Sequence, residues 1–134
     1  MLWNDKYATG NTQVDDEHKQ IFDLVQNVLD ANFSDRSQKI ETVIDFLGDY
    51  TIKHFEHEER LMDESGYPGI EIHRQQHRDF LSDFVKLRDH ILQSDDYTTN
   101  NITINKAVVG WLTNHVMGSD MAMADHYRRW SKAT

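Results

Sequence analysis

Apolar side chains recur at spacings of three and four along nearly the whole chain, which is the pattern of amphipathic helices rather than strands. The first such stripe, Ile21/Phe22, Val25 and Val28/Leu29, predicts a helix from about Asp15 to Ala31. A second begins near Ser37, a suitable N-cap with Glu41 close behind it. Its stripe runs Ile40, Val43/Ile44, Leu47, Thr51, His54, Glu58 and Leu61/Met62. Ser65-Gly66-Tyr67-Pro68-Gly69 is the clearest stop, with a glycine to end the helix and the only proline beyond it. A third helix is predicted from about Ile70 to Leu92, with Ile70, His73, His77, Phe80/Leu81, Phe84, Leu87 and Ile91 on one face. Gln93 to Asn101 reads as a polar loop. A fourth helix is predicted from about Ile104 to Trp130, with Ile104, Val108, Trp111/Leu112 and His115 aligned.

Four amphipathic helices with short connections predict an all-α, antiparallel up-down-up-down four-helix bundle in a single domain, 1–134. The first fourteen residues, with Trp3 and Tyr7, read as an extended arm packed as a lid over one end.

Composition narrows the chemistry. The chain has 134 residues and no cysteine, so disulfides, thiolate metal sites and cysteine nucleophiles are excluded. Its formal net charge is -9, carried entirely by residues 1–66. An acidic chain is a poor ligand for nucleic acid or for an anionic membrane surface. No segment resembles a signal peptide or a membrane span, so the cytoplasm is the expected location. Eight histidines stand out in a chain this short.

Their positions are informative. Residues four apart on a helix differ by only 40°. His54 and Glu58 therefore share the apolar face of the second helix, and His73 and His77 share that of the third. His18 lies three residues before Ile21, and His115 follows Trp111/Leu112. Every helix aims at least one imidazole at the centre. Burying one unpartnered polar group costs roughly 2–7 kcal/mol, and a bare carboxylate far more. Five imidazoles and a carboxylate converging on one core need a common partner, and a metal supplies one: iron, zinc, copper or manganese accept these donors. Six candidate ligands, or seven with Asp120, suit two ions bridged by carboxylates. Asp120 lies five residues after His115, 140° around an ideal helix, and reaches the same centre only through a local bulge or across a wide site. His57, His90 and His126 read as surface, with His57 closest to the inner face. Asp15-Asp16-Glu17 reads as acidic complement to a helix N-terminus. Glu56 and Glu59 read as solvated, and Met117, Met121 and Met123 as core filler.

These residues together resemble the hemerythrin family. The resemblance spans nearly the whole chain: the aromatic arm, Val14-Asp15-Asp16-Glu17-His18-Lys19-Gln20-Ile21-Phe22, His54-Phe55-Glu56-His57-Glu58-Glu59, His73-x-x-x-His77, and Trp111-Leu112-x-x-His115-Val116-x-x-x-Asp120. Length and single domain resemble the family's bacterial members. The resemblance implies two non-haem iron ions with an oxo or hydroxo bridge. One iron is implied on His73, His77 and His115, the other on His18 and His54, with Glu58 and Asp120 bridging. It implies reversible dioxygen binding at the open position on the two-histidine side, and it places Asp120 among the ligands. Phe22, Phe55, Leu112 and Val116, with Trp111 beside them, are the expected apolar oxygen pocket. Family members often carry tyrosine three residues after the last aspartate, where this chain has Met123. The expected function is oxygen carriage, storage or delivery without catalysis. The alternatives are an oxygen or redox sensor acting through a protein partner in trans, a di-iron enzyme handling nitric oxide or repairing iron centres, and a zinc-filled structural bundle.

Overall fold

The computed structural model describes residues 2–33 and 36–133, with the side chains of 33–39 left out. It is an all-α four-helix bundle, and no strand occurs among the described residues. Helix α1 is Thr12–Phe33, α2 is Arg36–Ser65 and α3 is Ile70–Gln93. A fourth rod, α4, starts with Tyr97–Ile104 and runs on unbroken through Asn105–Val109, Gly110–His115, Val116–Asp120 and Met121–Ala133. Paired side chains give the helix directions. Arg88 reaches Asp45 and Arg74 reaches Glu59, so α2 and α3 are antiparallel. Phe80 against Trp111 and Gln76 against Ser119 make α3 and α4 antiparallel. Asn32 bonds the Tyr97 carbonyl at the end where α1 stops and α4 starts.

The stop after α2 forms as its residues dictate. Gly66 takes φ +64°, a left-handed conformation that glycine adopts without steric penalty. It lets Tyr67 N–H donate to the Met62 carbonyl at 2.9 Å and Gly66 N–H to that of Asp63 at 3.2 Å, closing the helix end.

Two helix starts differ from the periodicity reading, each because of a polar side chain. α1 starts at Thr12 rather than Asp15, since Asn11 Oδ1 accepts from Val14 N–H as the cap. Asp15 lies in the first turn, as expected, but also accepts from Thr9 N–H and Thr9 hydroxyl, both at 2.8 Å, binding the arm to the helix. α4 starts at Tyr97, so most of the expected 93–101 loop is helical. Asp96 caps it, accepting from Thr99 N–H at 3.0 Å and from its hydroxyl at 2.8 Å, and Asn100 is buried. α2 begins at Arg36, and the expected cap Ser37 lies among the side chains not described. Met117 is 47% exposed rather than core, whereas Met123 is fully buried with Val14, Leu61 and Met62.

The core runs the length of the bundle and takes in the arm. Tyr7, in a short turn over Asp5–Tyr7, is buried and stacks on Phe22 at 5.5 Å. That turn lies against Val116–Asp120, so the arm closes the bundle beside the histidines.

Candidate metal centre

The buried residues of α4 include 100, 104, 108, 112, 116, 120 and 124, a strict spacing of four. An α-helix turns 40° for each such step, so a regular rod would carry this row off the core face. Two wide turns absorb the drift. Gly110 N–H donates to the Asn105 carbonyl and Met121 N–H to that of Val116, each five residues back. Such π-type turns bring residues five apart to one side. The second lies between His115 and Asp120, whose Nε2 and Oδ1 are 3.0 Å apart. The bulge that Asp120 requires is therefore present.

All seven expected residues meet in the middle of the bundle. His18, His54, Glu58, His73, His77, His115 and Asp120 are all buried. They form two overlapping sets: Glu58, His73, His77, His115 and Asp120 in one, and His18, His54, Glu58 and Asp120 in the other. Within each set, one donor atom per residue lies within 4.8 Å of all the rest.

Each carboxylate divides its oxygens between the sets. Glu58 Oε1 faces His77 Nε2 at 3.1 Å and His73 Nε2 at 3.5 Å, while Oε2 faces His54 Nε2 at 3.1 Å and His18 Nε2 at 3.5 Å. Asp120 Oδ1 faces His73 and His115 at 3.0 Å, and Oδ2 faces His18 at 2.9 Å. Both oxygens of Glu58, Oδ1 of Asp120 and Nε2 of His18 and of His73 are buried without a properly directed hydrogen bond. Unpaired donor atoms crowded this closely in a buried site are the arrangement that a cation satisfies. Nitrogen and oxygen donors of this kind fit iron.

The field inside the site is strong. Burial opposes charge on His18, yet Asp120 and Glu58 outweigh it and raise the imidazole to about 9. Burial likewise opposes charge on His54 and His73, and the same two acids, with Glu17 beside His54, lift them to about 10 and about 9. Burial pushes the Glu58 and Asp120 carboxyls up, but the surrounding histidines hold both well below the usual carboxylate range.

Two of the expected pocket residues stack directly on the histidines. Phe55 stacks on His77 with centroids 3.8 Å apart and planes 3° from parallel. Trp111, half-buried, stacks on His115 at 4.3 Å and 13°. Phe22, Leu112 and Val116 are buried in the core cluster that contains Phe55.

Two acids read as dipole complement or solvated surface, Glu17 and Glu59, support the histidines. Glu17 Oε1 accepts from His54 Nδ1–H at 2.7 Å and from His57 Nδ1–H at 2.9 Å. Burial pushes the Glu17 carboxyl up, but those two histidines hold it below its ordinary value. Glu59 Oε2 accepts from His77 Nδ1–H at 3.0 Å. Glu17 immediately precedes His18, and Glu59 lies five residues after His54 on a helix facing α3, but neither position by itself distinguishes a bonded acid from a solvated one. His126 also has a partner, bonding the Ser65 carbonyl at 2.9 Å, while His90 and Glu56 are exposed as expected.

A family model described as the hemerythrin HHE cation binding domain matches residues 9–127. The chain belongs to the hemerythrin family. It is 30% identical over 128 residues to a bacteriohemerythrin of Stenotrophomonas maltophilia, covering 96% of this chain and 82% of that one. It is 30% identical over 119 residues to a hemerythrin-like protein of Naegleria gruberi, covering 89% and 87%. A bacteriohemerythrin of Methylococcus capsulatus is 28% identical over 117 residues, covering 87% and 88%. For a hemerythrin the implied metal is non-haem iron, and the buried histidine–acid cluster fits a metal site. Among the described residues no helix is long and apolar enough to cross a membrane.

Proposed function

We propose that this hemerythrin-family chain binds dioxygen reversibly at a centre of two iron ions, as an oxygen-binding protein and not as an enzyme. The observation that carries the reading is the division of the Glu58 and Asp120 oxygens between a three-histidine and a two-histidine set. In this reading His73, His77 and His115 would hold one iron and His18 and His54 the other, with Glu58 and Asp120 shared between the two sets. When bound, the irons supply the electrons that dioxygen binding draws on.

The chain does the rest. The His18/His54 side offers fewer protein donors than the three-histidine side, so a small ligand would have room there. Oxidases built in bundles use four carboxylates with Glu-x-x-His pairs, a different donor balance. The stacked rings of Phe55 and Trp111 hold His77 and His115 in place. Phe22, Leu112 and Val116 make the surroundings apolar, which keeps water from the bound gas. Metal analysis of protein from iron-replete cells tests the reading. Two irons per chain are expected, and one zinc per chain contradicts it.

A further inference from the structure

Glu17 lies outside the seven residues, yet one of its oxygens serves two imidazoles. Oε1 accepts from Nδ1–H of His54 at 2.7 Å and of His57 at 2.9 Å. His54 presents its other nitrogen to Glu58 Oε2 at 3.1 Å. With a carboxylate as its partner Nδ1 keeps its proton, which leaves Nε2 as the nitrogen that would meet a metal. His77 is held likewise, by Glu59, but the backing differs. Arg74 Nε lies 3.4 Å from Glu59 Oε1, and a guanidinium is always charged. Behind Glu17 stands a second imidazole instead. The outer nitrogens of His18 and His73 are buried with no hydrogen bond, whereas those of His54 and His77 are each braced by an acid.

We propose that Glu17 is a positioning residue that fixes the ring and tautomer of His54 and strengthens its donation to the metal, and that His57 moderates this by sharing the same oxygen. The inference rests on the iron reading above. A carboxylate accepting the outer N–H makes a ligating imidazole more basic, which favours the more highly charged state of the metal. Removing the charge of Glu17 weakens that donation. Removing His57 returns the whole acceptor to His54 and strengthens it. The two substitutions therefore move the reduction potential in opposite directions, which a merely structural role does not do.

The test uses the iron-loaded full chain, comparing wild type, Glu17→Gln and His57→Ala for iron per chain, retention against a chelator and midpoint potential, with circular dichroism to verify the helices. Glu17→Gln is expected to raise the potential and weaken iron retention by about 10–100-fold. His57→Ala is expected to lower the potential and keep the iron. Unchanged potentials, or shifts of the same sign, overturn the proposal. If Glu17→Gln does not fold, the sign for His57→Ala alone decides: a fall supports the proposal, and no change or a rise overturns it. A wild-type chain that takes up no iron overturns the reading on which this rests, whereas iron-loaded wild type with indifferent variants overturns only the role of Glu17.

Discussion

Glu58 is completely buried, and both its oxygens lie within 3.5 Å of imidazole nitrogens from three helices. A carboxylate so placed is tolerable only with cations or donors around it. His77 is one of those neighbours, stacked under Phe55 and bonded to Glu59. His77→Ala is expected to lose metal and stability together, because metal binding is coupled to folding. Metal content and thermal melting check this, and a variant retaining the full metal load contradicts it. Phe55 is 3% exposed and touches His77, Phe80 and Trp111. Phe55→Ala is expected to cost about 3–5 kcal/mol in denaturant unfolding. Leu112 sits at the inner face of α4, and Leu112→Asp is expected to admit water and shorten the lifetime of the oxygenated protein, read by its visible spectrum.

At the scale of the helix, the wide turn over Val116–Asp120 decides whether Asp120 belongs to the site. Deleting Gly118, which is exposed and faces open space where a side chain would stand, removes one residue from that turn. The rod is expected to stay helical while Asp120 rotates away, leaving circular dichroism nearly unchanged and metal capacity lost. Retained capacity shows that Asp120 is dispensable. Most of the helices were legible from the stripes, since burial follows period 3.6 in α1 and α2. The start of α4 was not, because the run 97–101 is polar and its helicity comes from the Asp96 cap. The wide turns left a fainter trace, the four-residue spacing from 100 to 124, which a search for alternating threes and fours passes over. The inward histidines were legible because an imidazole on an apolar stripe is conspicuous. Glu17 and Glu59 were not, because an acid flanking a stripe looks the same whether it meets water or a histidine on the next helix.

Across the whole molecule, the site sets how stability responds to pH and to metal. In the metal-free protein His18, His54 and His73 are raised from 6.5 to about 9, about 10 and about 9. Their contribution is complete below pH 6.5 and is lost as pH rises through those values. The depressed Glu58 contributes above its ordinary 4.5 and loses this as pH falls toward its lowered value. The metal-free chain is thus expected to be most stable near pH 4.5–6.5. Loading metal at pH 7 is expected to displace protons from those histidines and to move the optimum upward. Proton release on titration with ferrous ion in weak buffer checks this, and no release contradicts it. All of the chain's formal net charge of -9 lies in the half that holds Glu17, Glu58 and Glu59. That acidity is partly the anionic side of a metal site, with Glu58 buried in it.

The central claim is reversible dioxygen binding at two irons. The most direct measurement is the visible spectrum of the reduced, iron-loaded protein through repeated cycles of oxygen exposure and degassing. A charge-transfer band that appears with oxygen and vanishes on degassing, cycle after cycle, is the predicted result. Irreversible bleaching with release of peroxide on first exposure contradicts it.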